Sequence, residues 1–223
     1  MEDKEYIYKF KLVPANILSL VILIVLAVLT IIINNKMSFS ADFLITTLLL
    51  YFTLHEIVHA IGYILSGAKP KNIYLGIALE KGILYCLCRE EVPKKCILSS
   101  LQMPFMVIGV ITYVIGMIIG NNLLVLLSIF NMAGASMDLM MFLYFARLKN
   151  IRYSETDAND EFVLISKEDL TKKKSLFFYI KDIKPYNKKD FIFKKKKRIE
   201  ISKVSYVILV LAILLDLVTY LLK

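Results

Sequence analysis

Five long apolar segments constrain the fold of this chain more than any other feature of its sequence. Each is long enough to cross the roughly 30 Å hydrocarbon core of a bilayer. They cover residues 15–34, 42–65, 97–120, 122–146 and 204–222. The chain as a whole is 58% hydrophobic, which exceeds the usual share in a soluble domain. The sequence therefore predicts an α-helical polytopic membrane protein with about five transmembrane helices.

The first apolar segment follows a short charged head, so a secretory signal is the alternative to a transmembrane helix. The run over residues 16–33 is longer than the apolar part of a typical signal, and no small-residue cleavage site follows it. A retained helix is the better interpretation. With the N-terminus inside, 26 of the 28 Lys and Arg residues face the cytosol, as the positive-inside rule requires. This predicts a C-terminus outside.

Two segments between the apolar blocks have a different character. Residues 72–79 and 83–91 flank a turn-forming Glu80-Lys81-Gly82, and their apolar alternation predicts a short β-hairpin. Residues 147–203 alternate apolar clusters with lysine runs, and we expect them to lie on anionic lipid headgroups rather than on nucleic acid. The predicted domains are thus a membrane core (1–146), a basic cytosolic segment (147–203) and a C-terminal transmembrane helix (204–223).

Three cysteines lie close together after the second apolar segment. Cys86, Cys88 and Cys96 are an odd number, and a cytosolic location would keep them as reduced thiols. A Cys-x-Cys pair can also bind a metal ion, so that alternative stays open.

The second apolar segment contains both histidines of the chain in the sequence HEIVH, residues 55–59. On a helix, His55 and His59 lie four residues apart on one face, so both imidazoles can reach one zinc ion. Glu56 lies about 100° round the helix, well placed to act on a water molecule as general base and later as general acid. Burying such groups in a membrane helix costs free energy, so their presence there indicates a function. The alternative is a pair of hydrogen-bonded core histidines beside a stray glutamate.

A catalytic zinc ion needs a third protein ligand, and no histidine remains to supply it. Asp138 is the only acid between Glu91 and Glu155. In the five-helix arrangement its depth in the fourth helix differs from that of His59 by about 3 Å. Asn131, Gly134 and Ala135 share its helical face, and small residues there allow two helices to approach closely. The predicted metal ligands are therefore His55, His59 and Asp138.

These features resemble the site-2-protease group of intramembrane zinc metalloproteases, and most closely the compact bacterial family described as "putative zincin peptidases". The resemblance covers roughly residues 42–146 and includes Pro104, which is similar to the proline of the third helix in that core. Asn131 and Asp138 are similar to an Asn-x-x-Pro-x-x-x-Leu-Asp-Gly pattern, but with one residue fewer between them, no proline, and Leu139 in place of the glycine. The resemblance implies Zn²⁺ as cofactor, a bacterial cytoplasmic membrane as location and Asn131 as a substrate-binding residue.

The sequence thus predicts an intramembrane zinc metallopeptidase with Glu56 as its catalytic residue, cleaving a membrane-inserted substrate near the cytosolic leaflet. Two alternatives remain. One is a non-catalytic membrane protein that binds a metal or a partner, although Glu56 would have no purpose in pure metal binding. The other is a zinc hydrolase of a non-peptide substrate. No nucleic-acid partner is expected.

Overall fold

The computed structural model describes residues 5–12, 16–33, 41–78, 83–155, 161–187 and 199–201. Its α-helices are α1 (Asn16–Ile33), α2 (Ala41–Leu65), α3 (Lys94–Met103), α4 (Thr112–Ile119), α5 (Asn122–Gly134) and α6 (Ser136–Arg147). Its strands are β1 (Tyr6–Leu12), β2 (Ile73–Ala78), β3 (Ile83–Cys88), β4 (Val92–Pro93), β5 (Arg152–Glu155), β6 (Glu161–Ser166), β7 (Phe178–Pro185) and β8 (Ile199–Ile201).

Five strands form an antiparallel sheet in the order β4-β5-β6-β1-β7. β1 lies between β6 and β7, so that Phe10 is opposite Phe162 on one side and Ile180 on the other. The rings of Phe10 and Phe162 stack with centroids 5.1 Å apart. A buried cluster joins this aromatic face to the helices through residues such as Ile97 and Phe145. The sheet is thus fixed to α3 and α6.

A second, three-stranded sheet has the order β3-β2-β8. β2 and β3 pair antiparallel, with Ile73 opposite Cys88, and this is the hairpin that the sequence predicts. β8 pairs parallel to the other edge of β2. Within the described residues, β3 is therefore an outer strand, and it packs against α2.

The prediction of a five-helix polytopic membrane protein is wrong, because the fold is mixed α/β with a five-stranded sheet. Among the described residues, one helix is long and apolar enough to cross a membrane, Lys94–Ile119, with a mean hydropathy of 2.0. The segments predicted at 15–34 and 42–65 do form helices, α1 and α2. The predicted helix at 204–222 lies outside the described residues. Residues 147–203 contribute β5 to β8.

The segment predicted as one helix over 122–146 is broken at Ala135. α5 and α6 meet there at an angle of 51°, and the amide of Ala135 donates to the carbonyl of Asn131 at 2.8 Å. The bent pair counts as a second membrane-crossing candidate only if its halves form one span. The bend directs the start of α6 towards α2, where the candidate site lies.

The long helix Lys94–Ile119 is not uniform along its length. α3 passes into a π-helical segment at Pro104–Ile111, and α4 continues from it. Proline has no amide hydrogen and its ring clashes with the preceding turn, so it disrupts regular α-helical hydrogen bonding. Wide turns of this kind occur frequently at functional sites.

Candidate metal centre and active site

The two histidines of α2 lie on one face of the helix, as their spacing requires. Their rings are nearly perpendicular, with centroids 4.7 Å apart. Nε2 of His55 and Nε2 of His59 are 3.0 Å apart. Both side chains are buried. The helix thus directs two nitrogens at one point in the protein interior.

Asp138 reaches the same point from the first turn of α6. Its Oδ2 atom is 3.3 Å from Nε2 of His55 and 3.3 Å from Nε2 of His59. An acid in the first turn of a helix is also favoured by the partial positive charge of the helix N-terminus. The three residues form the one His/Cys/Asp/Glu group within the described part of the chain that could hold a metal ion.

The other ring nitrogen of each histidine is held by a second residue. Nδ1 of His59 is 2.9 Å from the carbonyl oxygen of Ser100, which can only accept, so this nitrogen donates. Nδ1 of His55 is 2.8 Å from Oδ1 of Asn131. The Asn131 amide nitrogen donates to the Pro104 carbonyl at 3.0 Å, which fixes Oδ1 towards His55. Such partners fix the tautomer and orientation of metal-binding histidines.

Pro104 explains why the Ser100 carbonyl serves this purpose. Ser100 lies four residues before Pro104, and a proline has no amide hydrogen to donate to that carbonyl. The carbonyl accepts from His59. A Cβ on Gly62 would lie only 2.7 Å from Cα of Ser100. Glycine at position 62 therefore allows α2 and α3 to approach closely enough for this hydrogen bond.

The donor set fits a metal ion. Tetrahedral ligands at about 2.0–2.1 Å from zinc lie roughly 3.3 Å from one another, and the observed separations are 3.0, 3.3 and 3.3 Å. In neutral rings that donate through Nδ1, both Nε2 atoms carry bare lone pairs. These lone pairs and the Asp138 carboxylate would repel one another at such distances, and a cation among them removes the repulsion.

The three residues line a cavity of about 310 Å³ that also contains Glu56. The opposite wall of the cavity is β3, through Leu84, Tyr85, Cys86 and Leu87. The backbone amide of Cys86 is a hydrogen-bond partner of the Glu56 carboxylate. An acid, a candidate metal site and a strand edge therefore share one space.

Glu155 is a cavity residue that the sequence reasoning missed. Tyr63, one turn after His59 on α2, donates to its Oε1 at 3.2 Å, and the backbone amide of Cys88 is a further partner. Its Oε2 atom is buried, with no hydrogen-bond partner among the described residues. Burial raises the pKa of Glu155 to about 8. The polar neighbours of Glu155 in sequence, Ser154 and Thr156, gave no sign of its proximity to HEIVH, because β5 reaches the cavity only through the fold.

The cysteines are free thiols outside the group that could hold a metal ion. Burial raises the pKa of both Cys86 and Cys88, which keeps them protonated. Cys96 Sγ donates to the Ser66 carbonyl at 2.8 Å. These contacts favour the structural interpretation of the three thiols.

The predicted site residues are therefore brought together, with one difference of role. His55, His59 and Asp138 converge, and Glu56 lines their cavity. Asn131 is fully buried and uses both ends of its amide on His55 and Pro104. Its geometry favours the orientation of His55 over contact with a substrate.

Comparison with known protein families agrees with this geometry. A family model described as "Putative zincin peptidase" matches residues 48–153, a little under half of the chain. The match supports the zincin family. It includes all five predicted site residues, and a zincin implies zinc, with which the His55, His59 and Asp138 group is compatible. Comparisons with curated proteins and with solved structures gave no match.

Proposed function

We propose that this protein is a zinc metallopeptidase that hydrolyses a peptide bond in a membrane-inserted segment of its substrate. The observation that carries the proposal is the convergence of His55, His59 and Asp138, all within 4.8 Å of one another, in a cavity shared with Glu56. Pure metal binding gives no reason for an acid beside the ligands.

The metal would be held by Nε2 of His55, Nε2 of His59 and Oδ2 of Asp138. When bound, zinc polarises a carbonyl group and lowers the pKa of water. Asn131 and the Ser100 carbonyl hold the two imidazoles in the orientation that this requires. The protein thus supplies three ligands, which leaves a fourth position of a tetrahedral site open.

Glu56 acts as general base and then as general acid. It accepts a proton from the attacking water and passes that proton to the leaving amine. The amide of Cys86 holds the carboxylate at the cavity wall. This residue changes the rate of the chemical step without holding the metal, which makes the two roles separable by mutation.

The substrate binds as an extended strand beside β3. A carbonyl within a helix is already hydrogen-bonded, so a membrane-inserted segment must unwind before hydrolysis. The outer edge of β3 faces the cavity, because the amides of Cys86 and Cys88 are directed at Glu56 and Glu155. An extended peptide can add to such an edge once its carbonyl groups replace the two carboxylates on these amides.

The apolar helix Lys94–Ile119 supports a location of this chemistry at a membrane. Only 22% of an 18-residue apolar stretch of this helix is buried within the protein. Its outer face exposes large apolar side chains, namely Met106, Val107, Ile111, Val114, Ile115, Ile118 and Ile119. Ser100, which holds His59, is six residues after Lys94 and thus about 9 Å along the helix from its basic end. Lys94 and Lys95 at that end favour a cytosolic location for it.

The test uses purified protein in vesicles with a set of single-span test peptides. We expect Glu56→Gln to retain stoichiometric zinc and lose cleavage, and His59→Ala to lose both. Glu168→Gln is the matched control, since this acid does not line the cavity. Cleavage retained by purified Glu56→Gln would contradict the mechanism. Cleavage of soluble peptides alone, with none of the membrane-inserted set, would contradict the substrate class.

A further inference from the structure

A short exposed loop combines positive charge with an apolar tip. Residues 172–176, here the basic loop, contain Lys172, Lys173 and Lys174 in succession, all exposed. Leu176 follows and is 90% exposed. An exposed leucine next to three lysines suits a surface that is both apolar and anionic.

The five-stranded sheet has one end close to the start of α1, and the basic loop lies at that end. Phe178, two residues after Leu176, pairs with Leu12, the last residue of β1. Only four residues further along the chain, Asn16 begins α1. α1 exposes a row of large apolar side chains, Leu20, Val21, Ile24, Val25, Val28 and Leu29. The loop thus lies near the start of a strongly apolar surface.

Two contacts place the basic loop level with the charged end of the helices. The Tyr144 hydroxyl donates to the Lys173 carbonyl at 2.8 Å, near the end of α6. The Lys94 ammonium group donates to the Ala146 carbonyl at 2.9 Å, which brings the start of α3 to the same level. Beyond this level the helix Lys94–Ile119 contains no charged residue after Lys95. The boundary between charged and apolar surface therefore passes close to the loop.

We propose that the basic loop docks on an anionic lipid bilayer, with Leu176 inserted among the acyl chains and the three lysines at the headgroup phosphates. The charge of the loop complements an anionic surface, where each lysine adds to the attraction. Lysines also extend their charged ends towards headgroups while their stems contact apolar material. The contact holds the sheet against the membrane and fixes its position over the cavity. This inference rests on the membrane placement proposed above, but not on the peptidase chemistry.

The absence of tryptophan from the chain permits a direct test. Leu176→Trp introduces a single fluorophore into the full chain, reconstituted in vesicles that contain lipids brominated near the glycerol end of their acyl chains. We expect a blue-shifted emission that these lipids quench in anionic vesicles. Tyr6→Trp is the control, because it lies six residues from Leu12 along β1, roughly 20 Å away, and we expect no quenching there. Ile118→Trp reports helix insertion, since this residue is 78% exposed on α4.

Replacing all three lysines by glutamine in the Leu176→Trp background should lower the equilibrium constant for lipid contact by the loop roughly a hundredfold. Quenching at 176 should then disappear, and high salt should have the same effect. Quenching at 118 without quenching at 176 overturns the loop contact and leaves the membrane placement intact. Quenching at 176 that is unchanged by lipid charge and by the lysine substitutions overturns the role of the charges. Loss of cleavage activity with quenching retained bears only on the peptidase proposal.

Discussion

Replacing Pro104 by alanine tests whether a missing amide hydrogen sets the orientation of His59. Alanine at this position can donate its amide hydrogen to the Ser100 carbonyl, as in an ordinary α-helix. That carbonyl now accepts from Nδ1 of His59 at 2.9 Å. A second donor weakens the bond to His59, and closure of the turn draws the carbonyl back towards its own helix. We expect a lower affinity for zinc while the helix itself becomes more regular.

The magnitude follows from the single hydrogen bond involved. A net contribution of about 1–1.5 kcal/mol is typical for such a bond, which corresponds to a roughly five- to tenfold weaker affinity for zinc. Thermal stability should not fall, because alanine is the better helix former by about 3 kcal/mol in a helix interior. The two effects therefore have opposite signs, which separates loss of orientation from general damage.

The measurement is zinc affinity by chelator competition, together with nitrogen NMR of the imidazoles. Only two histidines are present in the chain, so the spectrum contains two rings. We expect the Nδ1–H signal of His59 to move and that of His55 to stay. Pro185→Ala is the control, since Pro185 is exposed at the end of β7. Unchanged zinc affinity with unmoved His59 signals would refute the assignment of Ser100 as the partner that orients His59.

Three further predictions concern the surroundings of the site. The pKa of Glu155 is raised by burial to about 8, so the folded state binds an extra proton, and the free energy of unfolding should fall by up to about 5 kcal/mol as pH rises from about 4.5 to about 8. Glu155→Gln should lose this dependence in thermal melts from pH 5 to 9. Gly62→Ala should lower the free energy of unfolding by about 1–3 kcal/mol in chemical denaturation, because its Cβ would lie 2.7 Å from Cα of Ser100. Gly134→Ala is the control and should be near neutral, since its Cβ would meet only Phe52 at 3.5 Å. Asn131→Ala should lower zinc affinity roughly 10- to 100-fold in the same chelator titration, and an unchanged affinity would remove Asn131 from the group that orients His55.

The candidate site could be predicted from local sequence because its geometry is local. Residues four apart on a helix lie on one face, which brings His55 and His59 together wherever α2 is placed. Asp138 was chosen as the only acid between Glu91 and Glu155 and by its depth in a five-helix arrangement that the structure does not have. Pro104 was noted in the sequence only through the family resemblance, although a proline inside a helix leaves the carbonyl four residues earlier without its donor. The consequence of that free carbonyl for His59 needed the structure.

The sheet could not be predicted in the same way. β1 consists of seven residues in which Lys9 and Lys11 alternate with Tyr8 and Phe10, so it resembles the charged start of a membrane protein. Its partners lie more than 150 residues away in sequence, and no periodicity specifies such pairing. The break at Ala135 was missed for a similar reason. No proline lies within α5, and α6 packs on α3 and, through Phe145, on Phe162 of the sheet.

The position of β1 at the interior of the five-stranded sheet has a consequence for how the chain folds. β6 and β7 do not pair with each other, since β1 separates them. Neither strand can complete its hydrogen bonding until Tyr6–Leu12 returns across more than 150 residues, a slow closure of high contact order. During synthesis β1 cannot pair until β6 and β7 have been made. Until it pairs, the apolar edge at Phe162–Ile165 can bind to other chains. A fusion or deletion that disturbs Tyr6–Leu12 should therefore cause aggregation rather than the loss of a dispensable leader, even though the metal ligands lie far from it in sequence.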